Sequence, residues 1–299
     1  MIPNQQKINS IKANLFYRSQ DAISDYERFD WHNYKGNIDS DKTNSSQALA
    51  IDFWGCLKLS HLKDQIINRL FNENDVNWEI TFEYTHSNLM SEIKATQIDI
   101  IVESNSSAII IESKFAESNG GGCSQIQPTS KKLIQCNGNY EEQINPVNSI
   151  KSKCALSGKG IHYWDYIDTL TRFDKNNILI PCPFKHGEYQ WMRNICFAEV
   201  YSRVHKKRTS SYLVYYESDK CPISVKVKKN TYLGKLKDEI INTESFKPIS
   251  YNNLLSTTIS LLSDNESNER QVWIDLQKWM AAKEKYLFRK LNVKRNIKQ

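Results

Sequence analysis

Apolar residues recur at near-helical spacing at Leu49, Phe53, Leu57, Ile66 and Leu70, with Ser45 and Ser46 ahead of them as capping residues. The spacing predicts a helix from there to about Phe71. The period then changes. Trp78–Tyr84 alternates and reads as a strand, whereas 97–103 and 108–115 are nearly continuous runs rich in Ile and Val, as expected of strands buried on both faces. Ser104-Asn105-Ser106-Ser107 between them is turn chemistry. Residues 116–187 keep no single period, contain Gly120-Gly121-Gly122 and four cysteines, and are expected to be an insertion with short helices. Glu188–Arg203 reads as a helix, Tyr212–Tyr216 as a strand and Ile223–Lys228 as a half-exposed strand. Ser267–Leu291 reads as a long helix with an apolar stripe at Val272, Trp273, Leu276, Trp279 and Met280, for which core packing is the simpler reading and a partner-binding face the other. The order predicts an α/β fold around a small mixed sheet flanked by helices. The expected organisation is an extended N-terminal arm over 1–44, a core over 45–216 and a C-terminal strand and helical extension over 217–299.

Composition narrows the class. Of 299 residues, 39% are hydrophobic and 25% charged, and no apolar run approaches the ~18 residues of a membrane-spanning helix. The polar N-terminus has no apolar signal region, so a cytoplasmic protein without membrane attachment is expected. Seven cysteines without a CxxC pair read as free thiols of a reducing compartment. The formal net charge is +6, and Lys283–Gln299 carries seven basic residues against Glu284 alone. This basic tail fits a polyanion partner or, equally, a solvated helix end whose cations suit the helix dipole.

The informative chemistry lies where charges interrupt the two apolar strands, at Asp99, Glu112 and Lys114. Buried charge is costly unless paired or bound to a metal. A hairpin whose turn is centred between Asn105 and Ser106 puts Asp99 directly opposite Glu112, with Cβ atoms about 4.5–5.5 Å apart. Lys114, two residues beyond Glu112, shares its face. Two carboxylates so close raise a pKa unless a cation separates them. Hard oxygen ligands favour Mg²⁺, with Mn²⁺ as a substitute, and an adjacent amine suits phosphodiester hydrolysis by an activated water. An ordinary salt bridge on an exposed sheet face is the plainer reading.

These residues resemble the PD-(D/E)xK nuclease superfamily, whose restriction-endonuclease-like core runs α-β-β-β-α-β. Ile98 stands where that motif often has proline. More narrowly, the chain resembles a bacterial family described as restriction endonucleases. That likeness is carried by Ser45-Ser46-Gln47-Ala48, Phe82-Glu83-Tyr84, Asp99 with Glu112-Ser113-Lys114, Cys154-Ala155-Leu156, Gly160–Trp164 and Tyr189–Asn194. The resemblance covers roughly residues 45–205. It implies Mg²⁺-dependent cleavage of DNA in restriction or anti-phage defence, with Asp99 and Glu112 as metal ligands and Lys114 in the water-activating role. It also implies a site role for Gln190, with Asn194 where an exonuclease-like branch has tyrosine. A homodimer is left open, since no dimer seam is legible. The alternatives are a non-catalytic nucleic-acid-binding module on the same fold, or a nuclease for RNA or branched DNA.

Further candidates carry two readings each. Glu83, at the end of its strand, is a third metal acid or a solvated strand-edge residue. Gln47 lines the site or belongs to the helix alone. Arg193 is a phosphate contact or a helix-surface residue. Lys206, Lys207 and Arg208 contact phosphates without reading sequence, or form a solvated loop. Cys123, Cys136, Cys154 and Cys182 are separated by gaps of 13, 18 and 28. That is not the paired spacing of zinc modules, so buried thiols rather than a structural zinc are expected.

Overall fold

Ile98, Ile100, Ile101 and Val102 on one strand and Ile109, Ile110 and Ile111 on the next are all buried. A strand pair apolar on both faces needs cover on both sides, and the fold supplies it. The computed structural model describes residues 2–92, 95–128, 133–172, 181–182, 184–229, 238–263 and 266–296, without the side chains of 167–168, 243 and 287–296.

In chain order the elements are α1 (Gln5–Ala13), β1 (Asn33–Tyr34), β2 (Asn37–Ile38), α2 (Ser46–Lys58), α3 (Lys63–Phe71), β3 (Glu79–Thr85), β4 (Gln97–Glu103) and β5 (Ser107–Lys114). Then follow β6 (Gln143–Ile144), β7 (Lys151–Ser152), α4 (Ile167–Leu170), α5 (Tyr189–His205), β8 (Arg208–Tyr215), α6 (Pro222–Lys228), β9 (Phe246–Ser250), α7 (Tyr251–Leu261) and α8 (Ser267–Asn296). The main sheet has the order β3-β4-β5-β8-β9. Its first three strands pair antiparallel and β5, β8 and β9 pair parallel. This is the expected α/β layout with a mixed sheet. One face packs on α2, α3, α7 and α8, where Trp54, Trp78, Tyr251 and Trp273 are buried. The other face packs on α5 and on the 116–187 segment. No described helix is long and apolar enough to cross a membrane.

Several expectations change. The helix from Ser45 is capped as expected, the Ala48 N–H donating to Ser45 Oγ at 3.1 Å. It ends at Lys58 rather than Phe71, because Ser60 Oγ takes the Leu62 N–H in a local turn, a bond that competes with the helix. Residues 1–44 are not an extended arm: α1 buries Ile8 and Ile11, and Leu15, Phe16 and Trp31 continue that contact. Ile223–Lys228 is a helix, not a strand. Pro222 presets its first turn, and Ile223 and Val227, one turn apart, pack on the same cluster. Elements β9 and α7 were not expected. The basic tail falls mostly on 287–299, whose side chains lie outside the described residues.

One buried charge ties both ends of the chain to α2. Asp52, fully buried, accepts from Phe16 N–H at 2.6 Å, Trp279 Nε1 at 2.9 Å and Lys283 Nζ at 2.5 Å. Removing one partner of such a pair leaves a buried charge uncompensated, at a cost of about 3–5 kcal/mol. Asp52→Ala is therefore expected to lower unfolding free energy by about that amount in urea titrations. The double substitution Asp52→Leu/Lys283→Met should lose much less.

Candidate active site

The site begins with strand register. Ile100 stands opposite Ile111 and Ile101 opposite Ile110, so one further step brings Asp99 opposite Glu112, as expected. Asp99 Oδ2 reaches across to accept the Ser113 N–H at 2.9 Å. Glu112 is fully buried. Lys114, on the same face, donates Nζ to Glu112 Oε1 at 2.8 Å and lies 5.9 Å from the Trp191 ring centroid. The second oxygen of Glu112 is held from α5: Arg193 Nη2 and Asn194 Nδ2 each donate to Oε2 at 2.8 Å. All three predicted core residues thus meet on one face of adjacent strands, and Arg193 joins them.

Glu83 approaches from β3. It falls between the pairs Phe82–Ile100 and Tyr84–Ile98, beside Asp99, with a left-handed φ of 48°. A non-glycine residue in that region within a strand is strained, by of order 1–3 kcal/mol. Gln47 Nε2 donates to Glu83 Oε1 at 2.6 Å. Gln47 Oε1 in turn accepts from the His32 N–H at 2.9 Å and from Ser40 Oγ at 2.5 Å. His32 Nε2 lies 3.5 Å from Glu83 Oε1. Gln47 therefore lines the site by fixing Glu83.

Three carboxylates, Glu83, Asp99 and Glu112, face two permanent cations, Lys114 and Arg193. The charges divide unequally. Burial would raise the Glu112 carboxyl, but Lys114 and Arg193 outweigh it and hold it down at about 2. Asp99 is pushed up by burial and by Glu112, with only partial relief from Lys114. Glu83 is pushed well up by burial and by Asp99. Burial lowers Lys114, but Glu112 and Asp99 override it and keep the amine a firm ammonium. Negative charge is therefore well compensated at Glu112 and poorly compensated at Glu83 and Asp99.

That donor set fits a hard divalent cation, which needs only one or two carboxylates and keeps its remaining waters. Asp99, which among the described residues accepts only the Ser113 N–H and is half-buried, and the facing Glu112 are the residues that would hold it. Among the described residues no three or more His, Cys, Asp or Glu side chains stand together as a preformed metal-ligand set. Glu83, the third expected acid, stands beside them with its Oε1 engaged by Gln47 and His32.

The remaining candidates lie elsewhere. Gln190 packs its side-chain amide 3.5 Å from the position a Cβ would take on Gly121, one turn before Arg193 and Asn194. Lys207 pairs with Glu103 at 2.6 Å and Arg208 with Glu73 at 2.9 Å. Lys206 is the exposed left-handed cap of α5. Arg208 stands beside Ser107, at the far end of β5 from Lys114, roughly 20 Å away at strand rise. The basic run is not brought to the acids. Asn194 was not anticipated as a site residue. Its signal was a polar side chain amid the buried run Trp191–Phe197, which needs a buried partner.

A family model described as restriction endonuclease associating with ARP matches residues 2–282. No curated protein and no solved structure matches the chain.

Two isosteric substitutions should move stability in opposite directions. Glu112→Gln leaves Lys114 and Arg193 short of their shared anion and should cost about 3 kcal/mol or more. Glu83→Gln removes part of the uncompensated charge and should raise Tm by roughly 2–4 °C. Thermal melts at neutral pH without divalent ions check both; equal losses would show that Glu83 is a paired anion. The folded-state carboxyl of Glu112 is depressed, so its contribution is complete above its ordinary value of 4.5 and is lost as pH falls toward about 2. Acid unfolding of the wild type should therefore extend to a lower pH than that of Glu112→Gln.

Proposed function

The chain belongs to the family of restriction endonucleases associating with ARP, and we infer that it is a Mg²⁺-dependent endonuclease that hydrolyses DNA, acting in restriction or anti-phage defence. The observation that carries this reading is the meeting of Asp99, Glu112 and Lys114 on one face of adjacent strands. The succession α2/α3-β3-β4-β5-α5-β8, with the insertion between β5 and α5, supports a restriction-endonuclease-like core. A magnesium ion held by Asp99 and Glu112 would supply charge stabilisation at the phosphate and an acidified water.

The protein's own groups have definable parts. Lys114 is an ammonium and so a donor; it can orient water or hold a phosphate oxygen through Nζ, and it keeps Glu112 ionised. Asn194 fixes the Glu112 carboxylate through Oε2. Arg193 offers a planar fork suited to phosphate oxygens. In this structure that fork rests on Glu112, so a phosphate entering the site would share it or draw it away. Gln47 restrains Glu83 and so sets how much negative charge stands beside Asp99.

Plasmid DNA incubated with the protein and Mg²⁺ or Mn²⁺ should be nicked or linearised, and EDTA should stop it. Asp99→Asn and Lys114→Ala should each slow cutting at least about a hundredfold, some 2.7 kcal/mol of barrier, while gel-shift binding of DNA persists. Undiminished cutting by both variants would remove the site. Binding without cutting under any divalent ion would favour a non-catalytic module, and preferential cutting of RNA or branched DNA competitors would change the substrate.

A further inference from the structure

The segment between β5 and α5 is long, and its described residues have little regular structure. Its described elements are two two-residue strands, one four-residue helix and short 3₁₀ turns. A segment of that size with so little internal pairing ordinarily needs a cross-link or a metal to hold its shape. Cys123, Cys136, Cys154 and Cys182, scattered in sequence, all line one cavity inside it. The cavity holds about 20 Å³ of free space, room for a single ion or water molecule and too little for an iron–sulfur cube. The other three cysteines, Cys56, Cys196 and Cys221, are buried elsewhere.

One of the four sulfurs is also held by the local backbone. The Gly138 N–H donates to Cys136 Sγ at 3.4 Å. Between the sulfurs the cavity wall is largely apolar, formed by Ile126, Ala155, Leu156, Trp164, Phe184 and Met192. An amide N–H aimed at sulfur, as at Cys136, stabilises a thiolate and orients it toward a metal. Lys185 also lines the cavity and Lys159 bears on Cys123. These are two cations where a metal tetrathiolate would carry net negative charge.

We propose that Cys123, Cys136, Cys154 and Cys182 bind one structural Zn²⁺ ion that staples the insertion. Zinc accepts four thiolates in a tetrahedron at about 2.3 Å. The sulfurs do not stand as a preformed ligand set, so binding draws them inward and releases their protons to solvent. Sequence spacing argued against zinc only because the usual modules carry their ligands in close pairs; here each ligand comes from a separate turn. The staple matters to the nuclease site through Gly120 and Gly121. Gly120 lies against the Trp191 ring so closely that an added Cβ would fall 2.5 Å from it, and the same ring flanks Lys114.

The test is metal content, which does not depend on whether the chain cuts DNA. Full-length protein expressed in zinc-supplemented medium and purified under reducing conditions is analysed by elemental mass spectrometry. About one zinc per chain is expected, released into a colorimetric chelator when a mercurial blocks the thiols. Cys123→Ser and Cys154→Ser should lose the zinc, whereas Cys56→Ser and Cys221→Ser should keep it. Should the ligand variants fold poorly, Co²⁺ exchanged into the wild-type protein should give the intense thiolate charge-transfer and visible bands of a tetrahedral four-sulfur site. Wild-type protein without stoichiometric zinc, iron in its place, or cobalt spectra of an oxygen-ligated site would overturn the proposal. So would zinc retained by a well-folded chain lacking all four cysteines.

Discussion

A carboxylate with no exposure to water, in the middle strand of the sheet, sets the terms for the rest of the molecule. Glu112 is stabilised by Lys114 from its own strand and by Arg193 and Asn194 from α5. A lone anion there would be costly by several kcal/mol. Its partners must therefore be in place whenever the fold is, which fixes the rotation of α5 over the sheet and the point where the chain re-enters after its insertion. Replacing the group by an apolar side chain would make a simpler core. Its presence is a reason to look for chemistry, since burial alone does not account for it.

The same face carries an imbalance. Glu112 is over-satisfied, while burial and Glu112 push Asp99 up and burial and Asp99 push Glu83 up. Glu83 adds left-handed backbone to that tension. Local cost concentrated in a few residues, beside the buried isoleucines of β4 and β5, is how functional sites generally depart from the rules that stabilise their surroundings. The basic run after α5 shows the opposite condition: two of its three cations are neutralised by Glu103 and Glu73, at the other end of the strands.

Much of this was readable beforehand, and what was not has identifiable causes. The hairpin register was legible because a short serine-rich turn fixes where the two strands meet. The positions of Asp99, Glu112 and Lys114 follow from that register alone. Strand β9 was hidden by Lys247 and Pro248, which an edge strand tolerates and a central one does not. Helix α6 was misread because a six-residue alternation cannot be told from a short helix with two inward residues. The left-handed turn at Glu83 has no sequence signature. Arg193 was recognised as a candidate, but its contact with Glu112 spans 81 positions and leaves no local trace.

That long span bears on how a chain assembles itself. The β4–β5 hairpin is a local structure of the kind that closes in about 1–10 μs, whereas the guanidinium must wait for a loop of some eighty residues to find its ends. Early in folding, the hairpin therefore carries its acids without Arg193 or Asn194 to shield them, and their mutual repulsion opposes collapse of this corner. Docking of α5 is the step that relieves it. Biogenesis should accordingly finish at the acids, with the inserted lobe acting as the gatekeeper of the last association event.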